Sequence, residues 1–288
     1  MTPIDQMPTL CLPEGLLWNS SLLCFEFVDI LSGSIYRYKT SPNSLELIKV
    51  FDSTIGWFFP TNCSHQYICG LQNKIVLWDA KIDVSTDLVI IDLKEGQRLN
   101  DALLVDDSQI WFGVMSSNIS EDVQDGALYS LSSMGLIEKD TCYLTPNGPL
   151  LTMDRLFMLH SDSAKGLLYR YPYKDGEVDV ERKEAVLDVS NLGASPDGMC
   201  LDTFGSVYVA MWGIGQVWKL NLQFNIERKF SIPHKYVTNV ALGGVDLDDL
   251  LVSYAEDREL GLPGGLFHLE NHNAKGVEPS SWHNDNVI

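Results

Sequence analysis

Four short segments of this 288-residue chain carry side chains able to do chemistry. They are Pro13-Glu14-Gly15, Arg98-Leu99-Asn100-Asp101, Pro146-Asn147-Gly148-Pro149 and Ser195-Pro196-Asp197-Gly198. Between them they offer carboxylates, amide groups and one guanidinium. Carboxylate and amide oxygens are hard donors of the kind that bind Ca²⁺, Mg²⁺ or Mn²⁺, and carboxylates also bind Zn²⁺. An arginine fork holds carbonyl, hydroxyl or carboxylate oxygens, and an asparagine amide both donates and accepts. Locally each segment reads as a turn. In Pro196-Asp197-Gly198 the proline presets φ, the Asp side chain can bond its own backbone, and the glycine tolerates positive φ. Only a fold that gathers these turns at one place makes them more than that.

The six histidines add no motif. His268 and His272 have a metal-like spacing, but it aligns two imidazoles only on a helix, and here it falls in a strand-like run ending in a turn, so the spacing reads as chance. His160 reads as a packed strand histidine. No Gly-x-Ser-x-Gly elbow is present, which disfavours a serine esterase.

The positioning elements come from a repeat. A Gly or Asn followed by a short aliphatic–aromatic run recurs at Gly33-Ser34-Ile35-Tyr36, Asn73-Lys74-Ile75-Val76, Gly126-Ala127-Leu128-Tyr129, Gly166-Leu167-Leu168-Tyr169, Gly215-Gln216-Val217-Trp218 and Gly265-Leu266-Phe267. Successive copies start 40 to 53 residues apart. That period suits a four-stranded propeller blade. Several copies follow another β-like run and a turn, as Val207 to Trp212 does before Gly213, which reads as a hairpin. No window of helical length shows sustained apolar spacing with caps at both ends. The expectation is an all-β, six-bladed propeller forming a single domain over 1–288, with a β-sandwich as the rival architecture. The polar run from Asn271 to the C-terminus is expected either to clasp the first blade or to be a disordered tail.

Composition narrows the partners. With 45% hydrophobic residues, a core of ordinary size is available, and no apolar run approaches the roughly 20 residues needed to span a bilayer. The start of the sequence lacks signal-peptide features, so a cytoplasmic location is the default expectation. Thirty-nine acidic against 20 basic residues give a net charge of -19, which repels phosphate backbones and anionic membranes but not divalent cations or neutral small molecules. The six scattered cysteines form no C-x-x-C pair and read as buried free thiols. The oligomeric state stays open.

The ordered set of motifs resembles the senescence-marker-protein, gluconolactonase and luciferin-regenerating family, which includes regucalcin and bacterial sugar lactonases. The matching points are Glu14 with Trp18, Arg98-x-Asn100-Asp101, Gly126-Ala127-Leu128-Tyr129, Pro146-Asn147-Gly148 and Ser161-Asp162-Ser163. Pro196-Asp197-Gly198-Met199-Cys200 with Val209-Ala210-Met211-Trp212, and then Gly264-Gly265-Leu266-Phe267, complete them. The resemblance implies a six-bladed propeller with one divalent metal in its channel, Ca²⁺ first and Mg²⁺, Mn²⁺ or Zn²⁺ as alternatives. It assigns Glu14, Asn147 and Asp197 as metal ligands, and Arg98, Asn100 and Asn118 as substrate contacts. Asp162 is a further channel residue in that pattern, and Asp101 orients Arg98 or the adjoining loop.

The chain departs from the pattern at Leu16, Pro149 and Asn118, the last standing where some sugar lactonases have an acidic contact. The activity implied is metal-dependent opening of a small sugar lactone, with Asp197 taking a proton from water or attacking directly. Phosphotriester hydrolysis at the same metal and non-catalytic calcium or ligand binding are the alternatives.

Overall fold

The computed structural model describes residues 2–3, 8–120, 122–270 and 272–283. Its antiparallel sheets form a six-bladed β-propeller, and among the described residues the only helical turns are three 3₁₀ segments of three residues. The six recurring Gly/Asn-led runs are the third strands of the six blades, for example Ser34–Lys39, Lys74–Asp79 and Gln216–Leu220. Strand burial explains why that repeat was visible. The second and third strands are sandwiched between neighbouring blades, so Cys24–Asp29 and Gln109–Ser116 are buried at every position. The fourth strands, such as Ser44–Val50 and Val84–Ile90, are largely exposed, and several of their apolar residues, among them Leu47, Val50, Val84 and Ile90, face solvent.

Apolar side chains fill the spaces between blades. One cluster joins Trp57 and Ile68 of the second blade to Phe112 and Val114 of the third, and another joins Val217 and Phe230 of the fifth to Val240 and Val252 of the sixth. Burying each such side chain contributes about 1.5–3 kcal/mol. The cysteines form no disulfide. Cys24 and Cys69 are buried as expected, whereas Cys142 is exposed.

Closure comes from the N-terminus. Thr2–Pro3 pairs with Gly265–Leu269 and supplies the outer strand of the sixth blade. Residues 272–283 form a strap across the far end of the channel. The Gly276 N–H donates to Leu247 O, and the Thr203 N–H to Lys275 O. The Trp282 N–H then donates to Pro60 O, and the Asn62 N–H to Trp282 O. The buried Trp282 packs into the cluster between the second and third blades. The strap thus runs from the fifth and sixth blades to the second and third instead of clasping the first or hanging free. Asn271 and residues 284–288 lie outside the described residues. No helix among the described residues is long and apolar enough to cross a membrane.

The inner strands are Pro13–Asn19, Ile55–Pro60, Gln97–Val105, Pro146–Leu151, Ser195–Leu201 and Val237–Gly243. Each breaks register with its second strand near its beginning, between Glu14 and Leu17, Ile55 and Trp57, Leu99 and Ala102, Asn147 and Leu150, Pro196 and Met199, and Val237 and Asn239. A bulge re-aims side chains that a regular pleat would send between blades. Six bulges at one level therefore make a ring around one end of the channel.

Candidate functional site

Glu14, Asn100, Asn147, Asp197 and Asn239 come from the bulges of five inner strands, and all are 4–5% exposed. Arg98, three-dimensionally beside them at 9% exposure, donates through Nη1 to Asn100 Oδ1 at 2.7 Å and to Leu99 O at 3.0 Å. Asn100 Nδ2 donates to Asn147 Oδ1 at 3.0 Å and to Pro146 O at 2.9 Å. Asn147 Nδ2 in turn donates to Asp197 Oδ1 and, at 3.3 Å, to Ser163 Oγ. On the other side of the ring, Asn239 Nδ2 donates to Glu14 Oε2 at 3.0 Å. The ring is thus a chain of donors and acceptors crossing from blade to blade.

Glycines let neighbouring inner strands approach this closely. Gly148 has φ +52°, and a Cβ there would fall 2.6 Å from Asp197 O. A Cβ on Gly198 would fall 2.3 Å from Asn239 Nδ2. The Asn-Gly and Asp-Gly pairs that looked like simple turns therefore have a packing reason as well.

Burial sets the electrostatics. It pushes the Asp197 carboxyl well above the usual range, helped by the charges of Glu14 and Asp101. It pushes Glu14 up to about 8, with Asp101 adding to the effect and the Asn239 hydrogen bond opposing it. Asp101 rises to about 6 through burial, although the Ala102 and Gly148 N–H groups stabilise its carboxylate. Arg98 falls to about 10 because its guanidinium is desolvated. Three buried carboxyls thus share one guanidinium, which interacts with Glu14 and Asp197, and a hard cation would relieve this excess of acceptors.

Among the described residues, no group of three His, Cys, Asp or Glu side chains is set to hold a metal. A site built from Glu14 and Asp197 therefore needs the Asn147 amide oxygen as its third donor. That oxygen now faces Asn100, and turning the amide toward Asp197 would exchange the Asn100 hydrogen bond for the cation. The donor chemistry fits Ca²⁺, Mg²⁺ or Mn²⁺, and three protein ligands leave positions for water.

The other expected residues fall in different places. Asp101 Oδ2 accepts from the Gly148 N–H at 3.0 Å, so it fixes the loop that carries Asn147. Asn118 is exposed in the loop after Gln109–Ser116, its N–H donating to Ser116 Oγ at 3.2 Å. That loop lies on the same face as the ring, because Ser116 pairs with Gln97. Asp162 is not a channel residue. It is fully buried and accepts from the Leu144 and Thr145 N–H groups at 3.1 and 3.0 Å, with Lys165 Nζ 3.0 Å away. It anchors the chain entering the fourth inner strand, as Asp29 does for the first by accepting from the Leu12 N–H at 2.7 Å.

The histidines behave as isolated groups. His268 Nε2 lies 2.9 Å from Asp249 Oδ1, and His272 Nδ1 accepts from the Ala274 N–H at 3.0 Å. His160 is buried edge-on to Tyr143, their ring centroids 5.0 Å apart. Two ring residues escaped the sequence reading. Asn239 holds Glu14, and Ser163 joins Asn147 to Pro196 O, to which its hydroxyl donates at 2.7 Å. The repeat itself was the usable signal for Asn239, which stands at the bulge of the sixth inner strand as Asp197 does in the fifth.

A model of the SMP-30/gluconolactonase/LRE-like region matches residues 12–256. The pentonolactonase XacC of Haloferax volcanii is 27% identical over 88% of this chain and 86% of its own. Regucalcin of Danio rerio is 24% identical over 93% of this chain and 94% of its own. In structure the chain resembles a calcium-binding protein, regucalcin, from Agrobacterium tumefaciens, with a TM-score of 0.88, 19% identity, and coverage of 97% of this chain and 96% of that one. At that identity the likeness speaks to the fold.

Proposed function

Since the chain belongs to the SMP-30/gluconolactonase/LRE-like family, we propose that it is a hydrolase that opens a small sugar lactone with the help of one divalent cation. The observation that carries this reading is the convergence of Arg98, Asn100, Glu14, Asn147 and Asp197 on one end of the channel, linked by hydrogen bonds and shielded from water. The lactonase name of the Haloferax relative supports the substrate class.

Glu14, Asn147 and Asp197 would hold the cation, Ca²⁺ first among the candidates, and when bound it supplies a Lewis acid for the lactone carbonyl. Arg98 and Asn100 bind the ring oxygens and hydroxyls, with the guanidinium already oriented by the Asn100 amide. Asp197 takes the proton of the attacking water as its oxygen bonds to the carbonyl carbon. The ester C–O bond then breaks, and the Asp197 proton passes to the departing ring oxygen. Asp101 keeps the Asn147 loop in place, and Asn239 does the same for Glu14.

Relative kcat/KM on a panel of aldonolactones and aryl phosphotriesters tests the assignment. Preference for lactones supports it; preference for the phosphotriesters, or a bound cation without turnover on either, overturns it.

A further inference from the structure

The end of the propeller that carries the polar ring also carries a row of aromatic rings that the chemistry above leaves unused. Phe267 packs on Tyr254 with 4.7 Å between centroids, Tyr254 on His234 at 4.3 Å, His234 beside Tyr236 at 6.4 Å, and Tyr236 on Trp212 at 4.7 Å. The outer end of the row is fixed, because Phe267 is buried in the cluster between the fifth and sixth blades. The inner end is open. Trp212 and Tyr236 are half-buried and line a vestibule of about 910 Å³, to which Asp122, Leu144 and Ser195 of the preceding blades also contribute. Sequence ties this vestibule to the ring: Ser195 stands two residues before Asp197, Leu144 three before Asn147, and Tyr236 three before Asn239. At roughly 3.3 Å per strand residue, its floor lies within roughly 7–10 Å of those side chains. Trp212 itself pairs with Ser195.

We propose that Trp212 is a substrate-binding residue that sets specificity, its indole stacking on the carbon face of the lactone's sugar ring and its Nε1–H donating to a hydroxyl. This rests on the sugar-lactone reading. Three features argue for it. Trp212 presents an apolar ring and a polar tip together, and its Nε1 has no hydrogen-bond partner among the described residues, whereas such groups usually find one. A sugar supplies both complements, C–H groups on one face and hydroxyls at its edge. The indole is also held in place before any ligand arrives, since Tyr236 and the rings behind it back it up, so little freedom is lost on binding. Finally, the charged side chains of the vestibule, Asp122, Lys165 and Lys235, are of both signs, and Lys165 is already held by the Cys142 carbonyl at 2.7 Å and Asp162 at 3.0 Å. Such a wall suits a neutral ligand. A stack of this kind holds substrate and transition state alike, so it acts on KM more than on kcat.

The test compares wild type, Trp212→Leu and Trp212→Phe in two measurements on the full chain with CaCl₂. One is steady-state hydrolysis of gluconolactone; the other is calorimetric titration with gluconolactam, whose ring N–H in place of the ring oxygen resists hydrolysis. Trp212→Leu is expected to raise KM for the lactone and Kd for the lactam tenfold or more, with kcat within threefold of wild type. Trp212→Phe keeps a ring but loses the N–H donor, and should fall between the two. It also carries the comparison if the leucine variant does not fold. Phe204→Ser, at a position 70% exposed, should change neither quantity. KM and Kd within twofold of wild type in a folded Trp212 variant overturn the proposal and leave the lactonase reading standing. A fall in kcat with KM unchanged overturns it too, because the residue would then act on the ring and not on the sugar. A wild type that neither turns over the lactone nor binds the lactam overturns both.

Discussion

Asn239 donates a 3.0 Å hydrogen bond to Glu14 across a sequence separation of 225 residues, joining the last inner strand to the first at the level of the ring. The bond stabilises the charged form of a carboxyl that burial otherwise keeps protonated. Asn239→Ala should therefore raise the Glu14 pKa further and lower affinity for Ca²⁺ by about 10- to 100-fold, the usual range for loss of a partner that orients a ligand. Calorimetric titration with CaCl₂ measures this, and unchanged affinity would place Asn239 outside the cation's support.

Gly198→Ala should damage the site without touching a charged group. The new methyl would lie 2.3 Å from Asn239 Nδ2, so Asn239 must move away from Glu14. A loss of roughly tenfold or more in kcat/KM is expected, with about 1–3 kcal/mol of destabilisation from overpacking. Steady-state rates and urea unfolding on the same preparation check both.

Cation binding should strengthen as pH rises. Glu14 has a folded pKa of about 8, well above its ordinary value of 4.5. Between those values the unfolded chain is ionised while the folded site holds the proton. The cation-free protein consequently loses stability as pH climbs through this window. A cation needs the ionised form, so below pH 8 its binding releases a proton, and affinity falls about tenfold per pH unit for each proton released. Calcium titrations at pH 6, 7 and 8 give the slope; a flat profile would remove Glu14 from the ligand set.

His160 predicts the opposite trend in a different part of the molecule. Burial lowers its pKa to about 3 from an ordinary 6.5, so the folded state keeps it neutral. As pH falls from 6.5 toward 3 the unfolded chain takes up a proton that the folded chain refuses. Stability is then lost at up to about 1.4 kcal/mol per pH unit. His160→Phe should flatten this part of the stability–pH curve relative to wild type, as read from urea midpoints between pH 7 and 4.5.

The sequence displayed those features whose physics is local. The third strands repeat visibly because each pairs a Gly or Asn turn with a run packed between blades, as in Gly33-Ser34-Ile35-Tyr36, all of it buried. The turns carrying Asn147 and Asp197 were legible for the same reason. The bulges that aim them into the channel were not, since a bulge is a register relation between two strands and leaves no residue pattern of its own. Asn239 lacks a following glycine, which hid it among ordinary strand residues. Asp162 misled because a carboxylate that fixes a loop and one that lines a channel look alike until backbone donors such as the Thr145 N–H are placed. The strap's path depends on one side chain, Trp282, finding its cluster some 170 to 225 residues earlier in the chain at Phe112 and Trp57, and composition held no hint of that.

The central claim is that Asp197 moves protons in lactone hydrolysis, and the pH-stat rate of gluconolactone opening by wild type and Asp197→Ala, each with CaCl₂, tests it most directly. The account predicts wild-type turnover well above the spontaneous rate, and loss of about 10²- to 10⁴-fold in the variant. Equal rates in the two proteins would contradict it.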